Sequence, residues 1–147
     1  MDRKISEKHL KIFDDANKIA LIGNGGNLAI AQHMASDIYR HTDKFCFAPE
    51  SIGLTALGGD HDWKEEWIDY AEHVADLFIA ITCRINSPMV KVLEQITTKT
   101  LLIAPKKHEF LDTIVIESTH YHTFECNALS TIYMLMEYNG VELPKLP

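Results

Sequence analysis

Short apolar runs alternate with amphipathic segments along most of the chain. Apolar runs of strand length occur in IALIG (19–23), DLFIAIT (76–82), TLLIAP (100–105) and TIVIE (113–117), and a further strand and a loop are predicted within FCFAPES and IGLTALGG (45–59). Such runs are typical of strands that are buried on both faces of a sheet. The segments between several of them carry apolar residues at helical spacing. This alternation predicts a three-layer α/β sandwich, in which helices flank a parallel sheet of about five strands.

Residues typical of helix starts help to predict where the helices in the amphipathic segments begin. Helices are predicted near residues 5–16, 28–41, 60–74, 87–96 and 124–138. Ser87 followed by Pro88 is a strong start, because serine caps a free N–H group and proline fits the first helical position. Asp62 followed by Glu65 resembles a capping box. The helix after this box is predicted to bury a stripe formed by Trp63, Trp67, Tyr70 and Val74.

Composition narrows the class of protein. The 147 residues predict one domain, spanning residues 1–147. A net charge of −7 disfavours nucleic acid and anionic membranes as partners. With no apolar stretch of about 18 residues and no signal-peptide core, a cytoplasmic location is expected. Cys46, Cys83 and Cys126 form no CxxC pair and are expected to be reduced, buried thiols.

The turn GNGGN, residues 23–27, follows the first strand and leads into a helix. Its glycines permit positive φ and leave N–H groups at the positive end of the helix, where a phosphate can bind. A dinucleotide fingerprint is the competing interpretation, although Leu28 stands where its third glycine belongs. A third interpretation is a strand-to-helix turn that uses glycine only for its geometry.

Four segments resemble the sugar isomerase (SIS) domain family, and most of all its phosphoheptose isomerases. GNGGN, HMASD, ALGGDHDW and ITCRINSP occur in the order and approximate spacing of that family, and the resemblance runs from Ile19 to Glu137. It implies a Rossmann-like, flavodoxin-like SIS fold. It also implies that a phosphorylated sugar binds, and that aldose and ketose forms interconvert through an enediol.

The resemblance also implies the residues that hold the substrate. These are Asn24, Gly25, Gly26 and Asn27 in the first loop, and Thr82, Arg84 and Ser87 in the loop after the DLFIAIT strand. Arg84 stands in a loop where the family has serines and glycine, and its cationic fork suits phosphate. Asp60 falls on the family aspartate near the sugar hydroxyls.

The family's HxxxE motif matches His33 and Asp37 one turn beyond the glycine turn. The resemblance implies Asp37 as the base and His33 as an acid or a zinc ligand. The other family ligands, a glutamine and a histidine of the last helix, fall on Phe124 and Ile132 when Glu125 is aligned with the family glutamate. His122 is the nearby candidate to complete a zinc site with His33 and Asp37.

Three functions stay open on these grounds. The first is a phosphoheptose isomerase that acts on a phosphorylated sugar, with zinc as a candidate cofactor. The second is a catalytically inactive SIS module that serves as a sugar-phosphate sensor or an interaction scaffold. The third is a nucleotide-binding α/β domain. A homodimer or homotetramer is expected in each case, because SIS sites are commonly built between subunits.

Overall fold

The computed structural model describes residues 5–50 and 63–147. The strands among them are β1 Lys18–Ile22, β2 Phe45–Phe47, β3 Leu77–Ile81, β4 Lys99–Ala104 and β5 Asp112–Val115. The helices among them are α1 Glu7–Asp15, α2 Gly26–His41, α3 Trp63–Glu72, α4 Pro88–Leu93 and α5 Tyr121–Tyr138. Each strand lies within or overlaps an apolar run of the sequence, and the predicted α/β class is confirmed.

The strands form one parallel sheet in the order β2-β1-β3-β4-β5. β1 and β3 are neighbours at its centre, with Ile19 opposite Leu77 and Ile22 opposite Ala80. The chain moves outward from β1 to β2 and then continues on the other side of β1 from β3 onward. The strand order therefore reverses between β1 and β3, as in flavodoxin-like sheets.

Two hydrophobic cores cover the two faces of the sheet. Alternate residues of β1 point to opposite faces, so that Ile19 and Leu21 pack with α1, α2 and α5. Ala20 and Ile22 pack with α3 and α4 on the other face. Burial of every central strand on both faces explains why these strands are continuous apolar runs rather than alternating ones.

The cap of α4 is as predicted, whereas the stripe of α3 is only partly so. Ser87 accepts a hydrogen bond from the Val90 N–H at 3.3 Å, and Pro88 takes the first helical position. In α3, Trp67 is buried and Trp63 is half-buried, but Tyr70 is 64% exposed and Val74 lies beyond the helix end. The helix instead buries Ile68 and Ala71 beside Trp67, so its inner face is rotated from the predicted stripe. Asp62 lies outside the described residues.

The three thiols are free, as predicted, but their burial differs from the prediction. Cys126 is exposed, because it lies on the outer face of α5, and Cys46 and Cys83 are half-buried. Burial raises the pKa of the Cys46 thiol to about 12, because the thiolate loses its hydration there. Among the described residues, no helix is both long and apolar enough to cross a membrane.

Candidate functional site

A pocket of about 810 Å³ lies at the carboxyl ends of β1 and β3. Parallel α/β sheets bind ligands at such a point, because neighbouring loops diverge there and leave a crevice. The loop after β1 and the loop after β3 form most of its wall, and α3 and α5 add side chains. Seven of the eight residues predicted to hold the substrate line this pocket: Asn24, Gly25, Gly26, Asn27, Thr82, Arg84 and Ser87.

The glycine turn depends on close backbone approach. Gly25 has φ +58° and ψ −126°, a conformation that favours glycine, and it is the N-cap of α2. A Cβ on Gly23 would lie 2.5 Å from the backbone carbonyl of Asn27, so the strand meets the helix only because Gly23 has no side chain. No side chain of the described residues caps α2. The N–H groups of its first turn therefore contribute positive partial charge to this wall of the pocket.

Asn27 joins the two loops and leaves one polar atom for a ligand. Its side chain is 5% exposed, and its Nδ2 donates to Cys83 Sγ at 3.5 Å. Its Oδ1 is buried and has no hydrogen-bond partner among the described residues. An unsatisfied buried acceptor costs about 1–3 kcal/mol. A ligand hydroxyl in the pocket would remove that cost.

The loop after β3 uses its hydroxyl groups internally. Thr82 Oγ1 accepts from the Arg84 N–H at 3.0 Å and donates to the Arg84 carbonyl at 2.9 Å. Ser87 Oγ caps α4. Positive charge in the pocket lining comes from the exposed Arg84 of this loop and from Lys64 of α3.

Glu125, near the start of α5, is the acidic side chain among the described residues that line the pocket. Its carboxylate lies directly over Gly26, since a Cβ at that position would fall 2.5 Å from Oε2. Burial raises the pKa of the neighbouring Cys83 thiol, and the negative charge of Glu125 raises that pKa further. The Asn27 amide opposes this shift through its hydrogen bond. No pattern in the sequence had indicated a role for Glu125 in the site.

His33 and Asp37 come together in a second cluster, with Tyr133 of α5. Tyr133 donates to Asp37 Oδ2 through its hydroxyl, which also lies 2.9 Å from His33 Nε2. Burial and the bond to Asp37 raise the pKa of Tyr133 to about 12. Neither His33 nor Asp37 is among the residues that line the pocket. Along α2 they lie roughly 10 and 16 Å beyond Gly26, at 1.5 Å per residue.

Three known proteins similar to this chain in sequence are all phosphoheptose isomerases. A phosphoheptose isomerase from Aneurinibacillus thermoaerophilus is 26% identical over 110 residues, which are 67% of this chain and 56% of that protein. One from Pelobacter propionicus is 32% identical over 92 residues, 56% of this chain and 49% of that protein. One from Aliarcobacter butzleri is 30% identical over 112 residues, 67% of this chain and 59% of that protein. The chain is a relative of the phosphoheptose isomerases.

Solved structures of phosphoheptose isomerases share the fold. The protein from Francisella tularensis superposes with a TM-score of 0.67 at 15% identity, over 87% of this chain and 78% of that one. The protein from Neisseria gonorrhoeae superposes with a TM-score of 0.65 at 18% identity, over 88% of this chain and 80% of that one. No protein-family model matches the chain. The matches to the three curated relatives cover about half to three fifths of their length.

The zinc ligands implied by the phosphoheptose isomerase resemblance do not form a cluster in the part of the chain that the structure describes. His122 is exposed, and its ring lies beside the ring of His120, with centroids 5.6 Å apart. Phe124 and Ile132 are buried in the core that contains α2. Across residues 5–50 and 63–147, no three His, Cys, Asp or Glu side chains lie where they could share a metal ion. Zinc binding by His33, Asp37 and His122 therefore stays a prediction.

Two polar residues of α5 contact α2. Each of them lies one residue after a position that the resemblance aligns with a zinc ligand of the family. Glu125 follows Phe124 and contacts Gly26, and Tyr133 follows Ile132 and contacts Asp37. One residue along a helix turns the side chain by about 100°, which is enough to move it from the core to the adjoining face. The remaining predicted residue, Asp60, lies outside the described residues.

Proposed function

We propose that the chain binds a phosphorylated sugar in this pocket and interconverts its aldose and ketose forms. One observation carries the proposal. Two cationic residues line the same pocket as Asn27, whose buried amide oxygen has no hydrogen-bond partner among the described residues. Arg84 and Lys64 suit a phosphate, and Asn27 Oδ1 suits a hydroxyl donor. The phosphoheptose isomerases among the relatives support the same substrate class.

The charges give the substrate an orientation in the pocket. A phosphate beside Glu125 would meet a like charge, and two unit charges 4 Å apart interact by about 4 kcal/mol at an effective dielectric constant of 20. The phosphate therefore binds on the Arg84 side. The carbonyl and hydroxyl carbons of the sugar lie toward Asn27 and Glu125. The glycine turn, predicted to cradle the phosphate, then holds the sugar end of the substrate.

Aldose–ketose interconversion needs little more than a placed base. A proton leaves the hydroxyl-bearing carbon beside the carbonyl, an enediol forms, and a proton is returned to the adjacent carbon. Polar groups that bind the two oxygens keep them aligned during both steps. The Asn27 amide is placed to do this, because its side chain lines the pocket and is immobilised by burial.

Binding and turnover can be tested with sedoheptulose 7-phosphate. At 100 times its dissociation constant a ligand stabilises the fold by about 2.7 kcal/mol, which for a chain of this size raises Tm by roughly 8 °C. Arg84→Gln should abolish most of that shift, whereas Lys106→Gln, an exposed cation that does not line this pocket, should retain it. Aldoheptose phosphate should appear by NMR.

Two outcomes would contradict the proposal in different ways. Stabilisation without turnover would favour the non-catalytic sensor. Absence of both would remove the phosphorylated sugar as ligand. Assembly into a homodimer or homotetramer and a cytoplasmic location stay predictions, to be checked by solution mass and by fractionation.

A further inference from the structure

We propose that Glu125 is the catalytic base that moves the proton between the two sugar carbons. This inference rests on the proposed isomerase function and names the group that performs its central step. Neither the resemblance nor the order of the sequence motifs assigns Glu125 a role. α5 places the Glu125 carboxylate in the same pocket as Asn27 and Arg84.

The carboxylate lies where the reacting carbons are expected. It sits over Gly26, in the wall that also contains Asn27, whose buried Oδ1 is unsatisfied among the described residues. Arg84 and Lys64 lie in the same pocket and attract the phosphate toward the loop after β3. A sugar that satisfies both ends of the pocket therefore presents its hydroxyl-bearing carbons to Glu125.

The absence of a side chain at Gly26 is what permits this placement. A Cβ there would overlap the carboxylate, so the Glu125 carboxylate keeps this position over the start of α2 only while residue 26 is glycine. The Glu125 side chain is half-buried, which limits its motion and its contact with water. A base that is held in contact distance of the substrate accelerates proton transfer typically 10²–10⁴-fold.

Asp37, the base implied by the resemblance, is engaged elsewhere. Its Oδ2 accepts the hydrogen bond of Tyr133, and its Oδ1 lies 4.0 Å from Arg40. It lies about 16 Å along α2 from Gly26. Among the described residues, a substrate seated between Arg84 and Asn27 therefore has Glu125 as its neighbouring carboxylate.

The proposed step balances without a metal or a redox partner. The Glu125 carboxylate removes the proton from the hydroxyl-bearing carbon, and the electrons of that C–H bond form the C=C bond of the enediol. The carbonyl oxygen takes up a proton from solvent water as its π electrons move onto it. Glu125 then returns its proton to the former carbonyl carbon, where the electrons of the C=C bond form the new C–H bond. The neighbouring hydroxyl loses its proton to the hydroxide left by that water and becomes the new carbonyl.

Hydrogen exchange at the reacting carbon tests this step directly. The chain is incubated in D₂O with sedoheptulose 7-phosphate, and deuterium entering the carbon beside the carbonyl is followed by NMR. Glu125→Gln should lower the exchange rate at least 100-fold while the phosphorylated sugar still stabilises the fold. Glu137→Gln, the same change at an exposed position of α5, should exchange like the unmodified chain.

The possible results distinguish the assignment of Glu125 as the base from the proposed isomerase function. Exchange by Glu125→Gln within threefold of the unmodified chain would overturn the assignment and leave the isomerase intact. Loss of exchange in Asp37→Asn, with exchange retained in Glu125→Gln, would transfer the role to Asp37. Absence of exchange in the unmodified chain would overturn both the isomerase and the base. Loss of sugar binding in Glu125→Gln would overturn a catalytic role in favour of a structural one.

Discussion

The contact between Gly26 and Glu125 can be measured without any assumption about activity. Gly26→Ala would place a methyl group 2.5 Å from Glu125 Oε2, about 1 Å closer than ordinary van der Waals contact. The carboxylate is the far end of a flexible side chain, so we expect it to move aside. A side chain forced off its rotamer costs about 0.5–1.5 kcal/mol.

A double-mutant cycle isolates that cost. Alanine is favoured over glycine in a helix by up to about 1 kcal/mol. In a Glu125→Ala background, where no carboxylate is present to clash, Gly26→Ala should therefore raise the free energy of unfolding. In the unmodified chain the clash should cancel that gain, which gives a coupling free energy of about 1 kcal/mol. For a chain of this size, this is a difference of about 3 °C in Tm.

Urea unfolding of the four proteins of the cycle provides the measurement. Gly25→Ala provides the control, because a Cβ at Gly25 meets nothing within 4 Å. Its φ of +58° should make that substitution destabilising by about 1–3 kcal/mol in both backgrounds, with no coupling to Glu125. Coupling below about 0.3 kcal/mol between Gly26 and Glu125 would refute the close approach. If Glu125 is the base, Gly26→Ala should also slow turnover about 100-fold, since a 1 Å misplacement costs that much.

Three further predictions concern parts of the chain around the site. Gly23→Ala should destabilise the fold by about 3 kcal/mol in urea unfolding, because its Cβ meets helix backbone that cannot rotate away; a loss under 1 kcal/mol would contradict this. Because the pKa of Tyr133 is raised to about 12 by burial and by Asp37, its stabilising contribution should be complete below pH 10 and lost as pH rises through 12. Tyr133→Phe should remove that part of the pH dependence of Tm, and an unchanged profile would show that Tyr133 does not cause it. Cys46, whose pKa is about 12, should react with a thiol reagent at pH 8 about a thousandfold more slowly than an ordinary exposed thiol, and exposed Cys126 should be labelled first in mass spectra.

Much of the fold follows from local sequence. The continuous apolar runs predict buried parallel strands, because only a strand with helices on both faces has no polar side to present. The Ser87–Pro88 start depends on one hydrogen bond and one fixed torsion angle, and both are properties of the local chain. The loops after β1 and β3 were predicted to hold the substrate, and both line the pocket because those strands are neighbours.

The directions in which the side chains of α5 point could not be predicted from local sequence. The helix places Phe124 in the core and Glu125 in the pocket, although both residues fall in the same predicted segment. Its rotation is set by how its whole apolar face packs against α2 and the sheet. A rotation of 100° exchanges one neighbouring residue for the next.

The sequence by itself determined the α/β class, the glycine turn, and the two loops that meet at the pocket. It could do so because apolar periodicity, glycine geometry and helix caps act within a few residues of the chain. Only the tertiary structure decided which acid reaches the pocket, and that His33 and Asp37 pair with Tyr133 instead of with His122. These contacts join α2 to residues about 100 positions away, and packing between helices, rather than local preference, sets their register.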